Sequence, residues 1–270
     1  MRPEDLEPAR LRIRHRSRFV DVWIAGDGPP VVLFHGWGLS GRPYRNALSA
    51  LAGRGYRAIA PSLAVIDPPW TLPGLAEIAA DLLSSVDAVP TAVVGHSFGG
   101  ALAIHMAADF PELVSRLVLV NSLGVSPGRR ALVRTVVPGR HWRVGMQRST
   151  ASALLLSATS GGGWTSLRGA ARWVMSRSLE EEMARVRDAG IRSTVLWGEG
   201  DSLLPRRIGE RAAELLAGTF QVVDRDGWPG RGKPDHDWPL RAPEFFAERI
   251  DDALRSLEPG DESPSIADRV

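Results

Sequence analysis

The chain of 270 residues contains no cysteine. That excludes a disulfide framework, a thiol nucleophile and a thiolate metal site. Lysine is almost absent too: Lys233 stands alone, and arginine carries nearly all the positive charge. The formal net charge is only +2, and no basic patch is interleaved with stacking aromatics, so nucleic acid is not an expected partner. No stretch reaches about 18 apolar residues without a break, which excludes an ordinary membrane-spanning helix. The opening MRPEDLEPAR lacks the basic-then-apolar layout of a secretory signal. A cytoplasmic protein is expected.

What is present is a regular alternation. Leu11 to Arg16 and Phe19 to Ile24 alternate apolar and polar residues, as two antiparallel strands at a sheet edge would. The texture then changes to a short unbroken apolar run, Val31 to Phe34, and similar, largely apolar runs at Arg57 to Ala60, Thr91 to Val94, Leu117 to Val120, Thr194 to Trp197 and Phe220 to Val223. Runs of that kind suit parallel strands buried on both faces. Helix-length patterns lie between them, at Pro43 to Ala52, Gly74 to Val86, Phe98 to Asp109, Pro205 to Ala217 and Pro243 to Leu257. The expected class is α/β with a mostly parallel sheet.

One interval breaks this rhythm. About seventy residues, Leu123 to Gly190, separate two of the runs, and a structureless loop of that length is improbable in a compact domain. A mostly helical insertion is expected at 123–190, a core domain at 1–122 and 191–258, and a disordered tail at 259–270. The insertion holds eleven arginines against four acids. It is basic, while the rest of the chain is acidic.

In an open parallel sheet, functional groups gather beyond the carboxyl ends of the strands. GHSFGG, Gly95 to Gly100, follows one apolar run and opens the next helical pattern. Ser97 would thus sit on a sharp strand-to-helix turn, with glycines where side chains would obstruct the packing. The helix behind it adds positive potential where an oxyanion would form. A serine hydroxyl then needs a base. Of six histidines, His15 is expected to be solvated on an edge strand, His35 and His96 lie inside tight turns, His105 lies too far along its helix, and His141 belongs to the insertion. His236 remains as the candidate base. For the orienting acid, Asp201 in GEGDSLLP follows the strand Thr194 to Trp197, with Glu199 as its competitor; Asp235 and Asp237 read as solvated loop acids.

The order Ser97, Asp201, His236, together with FHGWG at 34–38, GEGD at 198–201 and HDWPLRAPEFF at 236–246, resembles the α/β-hydrolase-fold serine hydrolases over nearly all of residues 10–257. The resemblance implies an eight-stranded sheet flanked by helices, with 123–190 as a lid. It also implies an oxyanion hole formed by the backbone N–H groups of Phe98 and Trp37, the Trp37 side chain lining the pocket or packing in the core. His35, Trp142 and Trp238 are further candidate pocket residues. The implied chemistry is hydrolysis of a carboxylic ester or thioester through an acyl-enzyme, without cofactor or metal. Carbon-carbon hydrolysis, lactone opening, acyl transfer and non-catalytic ligand binding are the alternatives. Dehalogenases and epoxide hydrolases are disfavoured, because they carry aspartate where this chain has Ser97.

Two features depart from the family pattern. RAIAPSLAVIDPPW has Ser62 where relatives commonly carry aspartate and a Gly-His-Gly run, and DGWPGRGKPDH is long for the approach to the histidine. The basic insertion suits an anionic or amphiphilic substrate, or weak contact with an anionic membrane surface. A solvated helical face in an arginine-rich chain is the other reading. Oligomeric state is not legible.

Overall fold

The computed structural model describes residues 6–16, 18–36, 39–63, 71–126 and 178–258. The expected insertion is therefore described only at its two ends, and the expected tail lies outside the described residues.

Eight strands form one sheet: β1 (Ala9–His15), β2 (Arg18–Ala25), β3 (Pro30–Phe34), β4 (Arg57–Pro61), β5 (Thr91–His96), β6 (Val114–Val120), β7 (Ser193–Gly198) and β8 (Thr219–Val223), in the order β1-β2-β4-β3-β5-β6-β7-β8. The first two strands pair antiparallel, as their alternating pattern predicts, and β2 is antiparallel to β4. All later pairings are parallel. Phe19, on β2, is left 61% exposed, while β3, β5 and β7 are buried along nearly their whole length.

Period-two alternation sends each central strand into two cores. Val32, Phe34, Val93, Leu117, Leu119, Val195 and Trp197 enter one, Val31, Leu33, Val94, Val118, Val120 and Leu196 the other. The first core is covered by α2 (Leu72–Ser85), α3 (Phe98–Asp109), α4 (Glu180–Asp188) and α5 (Arg206–Leu216). The second is covered by α1 (Arg45–Gly53), the short α6 (Trp238–Arg241) and α7 (Pro243–Ser256). Thr71 caps α2, its hydroxyl accepting the Gly74 N–H at 3.1 Å. Every residue of α3 from Phe98 to Ala108 is buried, because α2 and α4 flank it while the sheet lies beneath. An apolar sequence on all sides of the helix is what such a position demands.

From β3 the sheet grows one way to β4 and the other way to β5 and beyond. The carboxyl ends of β3 and β5, paired side by side with Phe34 opposite Gly95, thus bound the crevice where strand order reverses. Among the described residues no helix is long and apolar enough to cross a membrane.

Candidate active site

The sharp turn expected at Ser97 is present. Its φ of 55° and ψ of −118° are unusual for a residue with a Cβ, and the surroundings hold it there. The Ser97 N–H donates to Val120 O at 3.0 Å, and the Ser97 carbonyl accepts from Gly100 and Leu123, each at 3.0 Å. Glycines let the strand and helix close on one another. A Cβ on Gly95 would stand 2.5 Å from Gly100 Cα, and one on Gly99 would stand 2.1 Å from the Phe34 carbonyl oxygen.

Three side chains from three loops meet in a line. Ser97 Oγ lies 2.9 Å from His236 Nε2, and His236 Nδ1 lies 2.8 Å from Asp201 Oδ2. The Asp201 side chain is fully buried and fixed by its other oxygen, which accepts the N–H groups of Leu203 at 2.8 Å and Leu204 at 3.0 Å. With both Asp201 oxygens accepting, His236 carries its proton on Nδ1. The Nε2 lone pair therefore faces the serine hydroxyl, the arrangement needed to take its proton. Burial by itself would push the His236 pKa down, but the charge and hydrogen bond of Asp201, with the charges of Asp237 and Asp235, raise it above the ordinary value. Glu199, the competing acid, pairs with Lys233 instead.

The long loop before His236 is tied back at its end. Pro234 O accepts the Gly200 N–H at 2.7 Å, and Asp235 pairs with Arg241. Burial raises the pKa of Asp237 despite the charge of His236 beside it. Neither aspartate is the freely solvated loop acid expected.

Two side chains that the motif reading passed over hold the same loop. Asn121, fully buried at the end of β6, accepts the Gly198 N–H at 2.8 Å and donates to Asp235 O at 3.2 Å and His236 O at 3.4 Å. One carboxamide thus joins the strand end that leads to Asp201 with the loop that carries His236. His96 Nε2 donates to His236 O at 2.9 Å, and His96 Nδ1 accepts from Tyr44 at 2.6 Å. An asparagine directly after the apolar run Leu117 to Val120 was the available signal for the first, and a rare tyrosine soon after His-Gly for the partner of the second.

His35 was a candidate pocket residue, and it borders an apolar depression shared with Phe34, Leu63, Leu75, Phe98 and Leu102. Both of its nitrogens are engaged: Nδ1–H donates to Gly36 O at 2.9 Å, and Nε2 accepts the Leu63 N–H at 3.1 Å. Burial lowers its pKa to about 4, so the ring is neutral. Trp238 is not a pocket residue. It is fully buried in the opposite core, edge-on to Phe245 and Phe246, because α6 turns its first residue toward α7. His15 is not solvated either, lying largely covered 3.6 Å from Asp81 of α2. His105 is buried between Asp109 and Glu182, away from Ser97. Trp37, Trp142 and His141 lie outside the described residues. Among those described, no group of His, Asp and Glu could hold a metal ion.

Residues 31–249 match the family model described as the alpha/beta hydrolase family. An uncharacterised protein of Mycobacterium tuberculosis is 36% identical over 134 residues, covering 47% of this chain and 39% of the relative. The match thus spans about two fifths of the length of the first such curated relatives. The pimeloyl-(acyl-carrier protein) methyl ester esterase of Chromobacterium violaceum is 30% identical over 246 residues, 85% of either chain. Among solved structures, an esterase from Exiguobacterium antarcticum aligns with a TM-score of 0.72 at 17% identity, covering 92% of this chain and 100% of that one. At such identity the likeness concerns the fold.

Proposed function

Since this chain belongs to the alpha/beta hydrolase family, we propose that it hydrolyses a carboxylic ester or thioester through an acyl-enzyme on Ser97. The observation that carries this reading is the unbroken line from Ser97 through His236 to the buried Asp201, with both hydrogen bonds under 3 Å. His236 takes the serine proton as Oγ attacks the acyl carbon and returns it to the leaving alcohol or thiol; water then reverses the sequence. Asp201 keeps the imidazole in the correct tautomer and stabilises its charged form.

The Phe98 N–H, at the first turn of α3, and that of Trp37 are the proposed oxyanion donors. Each such donor typically contributes about 3 kcal/mol in the transition state. The small depression beside Phe98 and Leu102 is apolar, so this side of the crevice favours hydrocarbon over polar groups. The relative named as a methyl ester esterase supports ester over other substrates. Residues 123–190 are proposed as the lid over this crevice, and the basic charge there favours anionic or amphiphilic small molecules.

The test is labelling with a fluorophosphonate probe, followed by hydrolysis of p-nitrophenyl esters of increasing chain length. Labelling and turnover are expected in the native protein and absent in Ser97→Ala. His236→Ala should lower kcat/KM by about 10⁴-fold or more. A well-folded native protein that neither labels nor turns over any ester would overturn the reading.

A further inference from the structure

Four groups between the HGWG turn and the histidine loop form one continuous chain of hydrogen bonds. The Gly36 N–H donates to Tyr44 Oη at 3.3 Å, Tyr44 Oη lies 2.6 Å from His96 Nδ1, and His96 Nε2 lies 2.9 Å from the His236 carbonyl oxygen. Its direction is fixed by elimination. A carbonyl oxygen only accepts, so His96 must carry its proton on Nε2. In the neutral ring Nδ1 is then an acceptor, and the Tyr44 hydroxyl must donate to it. That leaves the tyrosine oxygen to accept from Gly36.

His96 is neutral throughout the working range, since burial, reinforced by the charge of His236, lowers its pKa to about 3. Burial likewise raises the Tyr44 pKa beyond the ordinary phenol range. No member titrates near neutrality, so the chain does not reverse. Tyr44 and His96 are both essentially buried, and neither borders the apolar depression. A covered pair of this kind contributes through the groups it holds.

We infer that Tyr44 and His96 are positioning residues that lock the backbone of His236 to the turn after β3, so that the base and the oxyanion side of the crevice keep a fixed separation. The inference rests on the hydrolase reading for its catalytic consequence. Its physical content is the ordered chain itself. Asn121 is a second, longer donor to the same carbonyl, which is why loss of the chain should loosen His236 without releasing its loop.

Tyr44→Phe deletes one oxygen and keeps the ring. Tyr56→Phe is the control, because its hydroxyl makes a tertiary hydrogen bond too, 2.7 Å to Asp251 of α7, away from the crevice. Both variants should lose thermal stability, Tyr44→Phe the more, because two buried partners lose their bond. Only Tyr44→Phe should lower kcat on p-nitrophenyl esters, by about ten- to a hundred-fold, with KM within about twofold of native, as expected for a displaced base. His96→Gln, which offers an amide N–H and a carbonyl, should retain more activity than His96→Leu. Equal kcat in native and Tyr44→Phe proteins, or equal losses in both tyrosine variants, would overturn the inference.

Imidazole nitrogen NMR separates this outcome from failure of the hydrolase reading, because it needs no turnover. Native His96 should be the Nε2–H tautomer, and the titration midpoint of His236 should fall in Tyr44→Phe but not in Tyr56→Phe. An Nδ1–H tautomer at His96, or an unmoved His236 midpoint, would sink the inference even in an active enzyme. The expected NMR result in a protein that labels with no probe would sustain the chain and reject hydrolysis.

Discussion

The Asp201 carboxylate meets His236 at 2.8 Å, whereas Glu199, two residues earlier on the same loop, is turned to Lys233. The geometry thus separates two acids that share a strand end, and it sets a pH dependence. The base must be neutral to act, and its pKa is raised above 6.5, the Asp201 charge prevailing over burial. The acid limb of kcat/KM should therefore lie above 6.5, with activity lost as pH falls through it. Asp201→Asn should move that limb to lower pH and reduce kcat/KM by about 10³-fold. Glu199→Gln should do neither. A pH-rate profile of the three proteins on one ester checks all of this, and an unmoved limb in Asp201→Asn would remove Asp201 from its assigned role.

Two buried neutral histidines make stability, too, fall with pH. Burial lowers His35 to about 4 and His96 to about 3. In the unfolded chain both titrate near 6.5. Between these values the unfolded state binds protons that the folded state refuses, so their contribution is complete above about 6.5 and is lost as pH falls toward 3. The loss is on the order of a few kcal/mol for each. His236 opposes it in part, since a raised pKa adds stability at low pH that is lost as pH rises through its folded value. Urea midpoints measured from pH 7 to pH 4 should fall steeply, and less steeply in His96→Gln. A flat native profile would contradict the buried, neutral assignment.

The class, the sheet and the crevice were legible because local pattern and tertiary role agree there. The runs at 31–34, 57–60 and 91–94 are strands since burial on both faces requires unbroken apolar residues, and Phe98 to Asp109 is a helix with the bounds its pattern suggests. Ser97 and Asp201 could be named because each follows closely on a strand end, and His236 because the other histidines fell elsewhere; the structure brings the three side chains within hydrogen-bond distance. Trp238 was misread for a physical reason. Nothing in HDWP tells which side of a short helix faces the crevice, and α6 presents the tryptophan to α7. His96 was read as lying in a tight turn, but the bonds of Asn121, Tyr44 and His96 were hidden because they join residues as far as 140 apart along the chain.

Asn121 offers a test of how the two loops are joined. Replacing it by alanine takes this partner from the Gly198 N–H and the Asp235 carbonyl, while the His236 carbonyl keeps the bond from His96. Each buried group left unmade costs about 1–3 kcal/mol. Asn121→Ala should therefore lower stability by about 2–4 kcal/mol and reduce kcat, as both the acid and the base lose an anchor. Asn121→Asp keeps an acceptor for Gly198 but turns a carboxylate oxygen toward two carbonyls. It should be at least as destabilising as alanine, and a denaturant titration in which aspartate is tolerated would refute this account of the carboxamide.

The glycine at 99 makes the closest test of the turn. Its missing Cβ faces the carbonyl of Phe34, a backbone atom of β3 that cannot rotate away, at 2.1 Å. Gly99→Ala must push α3 from the strand or bend the strand itself. Overpacking of this kind costs about 1–3 kcal/mol. The displacement would carry the first turn of α3, and with it the Phe98 N–H, away from the proposed oxyanion position. Fluorophosphonate labelling should slow in proportion to the fall in ester turnover, because both reactions place an oxygen there. Gly53, at the end of α1, has nothing within 4 Å of an added Cβ, so Gly53→Ala should leave labelling unchanged. Equal labelling rates in native and Gly99→Ala proteins would show that the contact between β3 and α3 does not govern the geometry around Ser97.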